Sequence, residues 1–296
     1  MEVALKLPSA NEANSEIDFE PIQNLLISGQ WVLPHLFPLF RETLRDSLAE
    51  AVPATLPTAY LSSLYYWGRM PEVENSPHAI GPFSTELISK HDRSAPFWAD
   101  ALKITVDEKA TLASVLPCEY VPLLKSLHSL NTPAYRPILE WLSPFVFFDS
   151  SDWLASSQPH MAGAIFLNRS LLGSDALTET LIHEMAHQEL FCLNLIDRLV
   201  KPHADNQLTY APFQKTERPA IGRLHAAHSL YRTCQFHAAL AAQDSLQAKR
   251  FAEASHSLTA TVATLSPSDF TPLGNLLIQQ CYLGVMSLKF SSGGKS

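Results

Sequence analysis

The chain has 296 residues, 46% of them hydrophobic and 17% charged. That composition supplies apolar material for a sizeable core and excludes a disordered chain. The net charge is −8, from 21 basic and 29 acidic residues, and no basic cluster stands out, so nucleic acid is not an expected partner.

In chain order, residues 1–15 are polar and acidic and are expected to be flexible. Between 21 and 51, Ile22, Leu25, Leu26, Val32, Leu36, Phe40, Leu44 and Leu48 recur at helical spacing, with Pro34 and Pro38 interrupting them. Two or three helices are expected there. The aromatic run YLSSLYYW, 60–67, reads as core, and the proline-rich stretch 68–97 as loop or short strands. His78 and His91 within it read as surface histidines. Residues 108–130 read as helix with a proline break, and 133–142 as another helix.

Two short apolar runs follow, PFVFFDS (144–150) and AGAIFLN (162–168), and both read as strands. The second is a candidate substrate-binding edge, through Ala164, Ile165 and Phe166, because an extended peptide can add to an exposed strand. Ser174 or Asp175 is placed to cap the next helix. Residues 201–220 read as loop, and Pro219 suits the first turn of a helix reaching about Gln243. The pattern resumes from Asp244 to Leu265, and 271–288 is a last apolar helix before a flexible tail at 290–296. With 10 glycines against 21 prolines, the expected class is mainly α (α+β). A single domain spans 1–296, with a helical part over 20–150 and a metal-site part over 160–288.

The chemistry concentrates in LTETLIHEMAHQELF, 177–191, where His183, Glu184 and His187 form H-E-x-x-H. On a helix, positions four apart share one face, so two imidazoles at this spacing can hold one metal ion. A catalytic centre takes three protein ligands. The extended form of the motif, with Gly and a third His downstream, is absent, since Leu190 and Leu193 occupy those positions. Glu217 and Asp197 are poorly placed, which leaves the histidines of the following helix: His225 first, His228 as the alternative, with His237 set aside as surface or core. Such a set suits Zn or Fe(II), and spacing does not separate them. With zinc, Glu184 is the general base of a hydrolase. With iron and a keto-acid co-substrate, a cation must pair with the distal carboxylate, and Arg218 and Arg223 are the candidates.

The four cysteines (Cys118, Cys192, Cys234, Cys281) are far apart and read as free, mostly buried thiols of a cytoplasmic protein. No targeting segment is expected and no run is long enough for a membrane-spanning helix, so no membrane partner is expected. Phosphate-binding glycine loops are missing as well.

Four stretches together resemble a known family: AGAIFLN (162–168), LTETLIHEMAHQEL (177–190), YAPFQKTERPAIGRLHAAHSLY (210–231) and TPLGNLL (271–277). They are similar to the H-E-x-x-H type, iron- and 2-oxoglutarate-dependent peptide β-hydroxylases of ribosomal peptide natural product pathways. The resemblance covers about residues 160–280. It implies Fe(II) held by His183, His187 and His225, with 2-oxoglutarate and O₂ as co-substrates and Glu184 in the catalytic site. Tyr210, with Arg218 and Arg223, then falls to the co-substrate region, and the partner is a precursor peptide hydroxylated at a side-chain β-carbon. A homodimer is compatible with this reading. The chain departs from the family in carrying Ala226 after the Leu-His pair, where relatives have Gly, and Ala186 where they have Gln.

Overall fold

A computed structural model describes residues 20–32, 87–88, 95–130, 132, 135, 145–159, 163–241 and 244–293. Helix dominates, with a small mixed sheet. Most of the helical pattern at 21–51, the aromatic run at 60–67, His78, His91 and most of 133–142 lie outside the described residues. The chain divides into two compact units, one of Met1–Glu16 with Leu33–Thr180 and one of Ile17–Val32 with Leu181–Ser296. No helix among the described residues is long and apolar enough to cross a membrane.

The first unit is built on a sheet of short strands. Strand β1 (Leu87–Ile88) lies parallel to β3 (Phe145–Asp149), pairing Leu87 with Phe145. Strand β2 (Thr111–Leu112) runs antiparallel on the same edge, pairing Thr111 with Asp149. On the other side β3 is parallel to β5 (Ile165–Asn168), and β5 in turn takes β4 (Ala155–Ser156) antiparallel. Both central strands read as unbroken apolar runs because both of their faces are buried. Val146, Phe148 and Phe166 share a core with Trp98, Ala101 and Leu102 of helix α2 (Ala95–Thr105). Trp98 meets Phe166 edge to face at 6.1 Å. Phe147, between Val146 and Phe148 on the strand, packs against Tyr120 at 5.7 Å. Truncating Phe166 to Ala would leave a cavity costing about 3–5 kcal/mol.

Two sequence expectations change in this unit. Residues 108–130 are not one broken helix: 111–112 is strand, and helix α3 (Val121–Ser129) starts only after a 3-10 turn at Pro117–Tyr120. The prolines Pro117 and Pro122 fit first turns, where a missing N–H costs nothing, and they prevent one continuous helix. Strand β5 is also not an open edge. It is paired to β3 along its length and to β4 at Phe166 and Leu167, and Ala164, Ile165 and Phe166 are buried. The run was apolar because it sits in the centre of a sheet, so the assignment of these three residues to a substrate edge does not hold.

The second unit is helical. Helix α1 (Glu20–Ile27) packs on α7 (Pro272–Gly293), and α5 (Ala220–Ala241) packs on α6 (Ser245–Val262) and α7. Helix α4 (Leu177–Ile196) begins in the first unit and belongs to the second from Leu181. It contains no Gly or Pro over its 20 residues. Ser174 Oγ accepts from the Ala176 N–H just before it, which sets its start. Asp244 caps α6 by accepting from Leu246 N–H at 2.8 Å, so the pattern after Gln243 is a separate helix. Helix α7 continues to Gly293, beyond the expected start of the tail.

The segment 201–220 is more ordered than a loop. Strands β6 (Thr209–Ala211) and β7 (Thr216–Arg218) form a hairpin that pairs Tyr210 with Glu217 and Thr209 with Arg218. Its turn places Lys215 at φ 54°, a left-handed position that is uncommon for lysine. After α4, the chain crosses the start of α7: Thr271 N–H donates to Leu199 O, and Val200 bridges Phe270. Gly274 makes this crossing possible, because a Cβ there would lie 2.2 Å from the Leu199 carbonyl oxygen.

Candidate metal centre

His183 and His187 stand one turn apart on α4, as the i, i+4 spacing requires. Their Nε2 atoms are 3.0 Å apart, with the rings edge-on. Donor atoms of His183, Glu184 and His187 all lie within 4.8 Å of one another. Glu184 is buried, while the two histidines are half-buried. Helix α5 supplies a further imidazole: His225 Nδ1 lies 3.0 Å from His187 Nδ1. His187 is thus the middle member, turning Nε2 to His183 and Nδ1 to His225.

Phe191, one turn beyond His187, covers the pair. Its ring lies 5.0 Å from His225 and 6.3 Å from His187. An aromatic ring packed on imidazoles displaces solvent from that side of the rings. Burial, then the neighbouring His183, His225 and His228, holds His187 well below the usual histidine range. Burial, with His228 and His183, lowers His225 to about 3. Both imidazoles are therefore neutral at physiological pH and carry the lone pairs that a metal needs.

Nitrogens 3.0 Å apart fit donors that share one first-row divalent ion, for which metal–nitrogen distances near 2.0–2.1 Å are usual. The residues present therefore suit a metal of the Zn or Fe(II) class.

His228, the alternative third ligand, is engaged elsewhere. Its Nε2 lies 2.8 Å from Glu189 Oε2, and both side chains are fully buried. Arg232 donates to the same oxygen from Nη2 at 2.8 Å and from Nε at 3.2 Å. The other carboxylate oxygen, Oε1, accepts from Val32 N–H at 2.6 Å. Arg232 also donates to the carbonyls of Gly29 and Gln30, each at 2.8 Å, and its guanidinium sits 4.2 Å over the Trp31 ring. Burial by itself would raise the Glu189 carboxyl, but the Arg232 guanidinium, the His228 bond and the Val32 N–H outweigh it and hold it down at about 2. Glu189, Arg232 and Phe191 went unremarked in the sequence. One available signal was the i, i+4 spacing of His228 and Arg232, which places them on one helix face.

The candidate co-substrate residues separate. Arg223 is buried and donates to the Thr264 carbonyl at the end of α6, so its assignment to a carboxylate clamp does not hold. This bond from Nη1 ties the start of α5 to the chain just after α6. Arg218 and Tyr210 are exposed on the β6–β7 hairpin, immediately before α5. His237 is buried and bonds Gln247 at 2.6 Å, as a core histidine does. Among the cysteines, Cys118 is exposed, and Cys192, Cys234 and Cys281 are buried free thiols.

No protein-family model and no curated protein matches this chain.

Proposed function

We propose that this protein is an Fe(II)- and 2-oxoglutarate-dependent oxygenase that hydroxylates a side-chain β-carbon of a peptide. The observation that carries the reading is the histidine from a second helix: His225 meets His187 at 3.0 Å, beside the His183–His187 pair. The His183–His187 pair supplies two donors, and His225, which stands at the Nδ1 side of His187, completes the ligand set in this reading. The choice of hydroxylation over other metal chemistry rests on the resemblance of 162–168, 177–190, 210–231 and 271–277 to the peptide β-hydroxylases.

In this reading His183, His187 and His225 hold the iron. When bound, the iron supplies the coupling of oxidative decarboxylation to hydroxylation: 2-oxoglutarate, O₂ and a peptide C–H give succinate, CO₂ and a peptide C–OH. Phe191 packs against the His187 and His225 rings and helps to hold them in place. Glu184, buried beside the pair, is available to orient a bound group or to hold a proton. Of the two arginines flanking the start of α5, Arg218 is the one proposed to pair with the 2-oxoglutarate distal carboxylate, since Arg223 is committed to a buried contact. A peptide of ribosomal origin is the substrate class, and the cytoplasm the compartment.

The position of Glu184 favours one other reading. A carboxylate within 4.8 Å of both motif histidines is also what a zinc peptidase needs, with Glu184 taking the proton of an attacking water. The test is incubation of Fe(II)-loaded protein with 2-oxoglutarate, ascorbate and candidate peptides. Succinate that depends on Fe(II), with a one-oxygen mass gain in the peptide, supports the oxygenase. Peptide cleavage that depends on zinc and on Glu184, without 2-oxoglutarate turnover, replaces it.

A further inference from the structure

Beside the histidine cluster lies a second polar layer between α4 and α5 that no ligand role accounts for. Glu189 follows His187 by two residues, His228 follows His225 by three, and Arg232 lies one turn further along α5. Glu189 accepts from His228, twice from Arg232 and from the Val32 backbone, all without solvent. A carboxylate holding these four hydrogen bonds cannot slide along its partner helix without abandoning charged hydrogen bonds in a water-free interior. It therefore fixes the axial register of α5 against α4. His225 stands one turn before His228 on the same helix, so that register also sets the distance from His225 to His187.

We propose that Glu189 is a positioning residue for the metal centre, holding His225 against His187 through His228 and Arg232. The segment 29–32 is the outer part of the same clamp: Arg232 is held to its carbonyls and to Trp31, and Val32 completes the Glu189 shell. The alternative is that the layer only stabilises the fold. The proposal rests on metal binding by His183, His187 and His225, and not on the reaction that follows.

The test uses Co(II) as the probe, with the full chain. Dissociation constants are measured by titration, and the visible absorption bands of the bound ion report its ligand geometry. Glu189→Gln keeps size and loses charge. We expect it to weaken Co(II) binding by roughly 10–100-fold, the range found when groups behind metal ligands are changed, and to alter the visible bands. His228→Gln, whose amide nitrogen can still donate to Glu189, should retain most of the affinity. Leu258→Ala, in the α6 core, serves as a control that lowers thermal stability while leaving Co(II) affinity and spectrum as in the wild type. If Glu189→Gln loses stability like the control and binds Co(II) unchanged, the positioning role is wrong. Should Glu189→Gln fail to fold, His228→Phe decides the question by the same two outcomes, because Arg232 still neutralises Glu189. Failure of the wild type to bind Co(II) overturns the metal reading itself, and this inference with it.

Discussion

Arg232 and Glu189 form an ion pair from which water is fully excluded, Nη2 to Oε2 at 2.8 Å, with the Trp31 ring against the guanidinium's other side. Such a pair contributes little against a well-packed apolar pair, yet removing one partner is costly because the other charge stays buried. Arg232→Ala is expected to lose about 3–5 kcal/mol of unfolding free energy, measured by urea denaturation. A loss below about 1 kcal/mol would mean that water or another cation reaches Glu189.

The third-ligand assignment gives an asymmetric outcome. His225→Ala should abolish stoichiometric metal uptake at micromolar metal, because two imidazoles rarely suffice for a catalytic centre. His228→Gln should keep it. Elemental analysis of the two purified variants checks this. Retained metal in His225→Ala, with loss in His228→Gln, would reverse the assignment.

Acid should destabilise the metal-free protein in two stages. His187 and His225 bind protons less readily folded than unfolded, so the unfolded state takes up more protons as pH falls below about 6.5. Their contribution is present above that pH and is lost on acidification, for His225 down to about 3. Glu189 also has a depressed folded value, so its contribution is present above about 4.5 and is lost as pH falls toward 2. At neutral pH that contribution is of the order of 3 kcal/mol. Thermal unfolding across pH 4–8 should show Tm falling from about pH 6.5. A flat profile would contradict the buried, neutral state of the histidines.

Arg218 and Arg223 should separate cleanly. Arg218→Ala is expected to raise the 2-oxoglutarate KM with little change in Tm. Arg223→Met loses its bond to Thr264 O and should lower Tm instead, by the equivalent of about 1–3 kcal/mol. Equal KM values for wild type and Arg218→Ala would remove Arg218 from the co-substrate site.

At Gly274 even one added methyl group has no room. Gly274→Ala would bring Cβ to 2.2 Å from the Leu199 carbonyl, and a backbone atom cannot yield as a side-chain end can. We expect a loss of about 2 kcal/mol or more, read from thermal denaturation. An unchanged Tm would mean that the 199–201 crossing shifts freely.

The sequence by itself determined the features that depend on local spacing. Helical periodicity and the absence of helix breakers placed α4 and the motif pair His183–His187 on one face, and an apolar run too short for a helix marked β3 and β5 as strands. Proline positions and the Ser174 cap marked the ends of helices for the same reason, since each acts within a turn of its own residue. What only the tertiary structure decided is the partner of each side chain across elements. His225 and His228 are three residues apart and equivalent by spacing, yet one meets His187 and the other Glu189. Arg218 and Arg223 both flank a helix start, yet one is exposed and the other is spent on Thr264. Ile165 and Phe166 are as apolar as an exposed binding edge would require, yet β3 and β4 lie on either side. Periodicity fixes which face a residue occupies; what lies opposite that face depends on contacts between residues far apart in the chain, such as Val32 and Glu189, 157 positions distant.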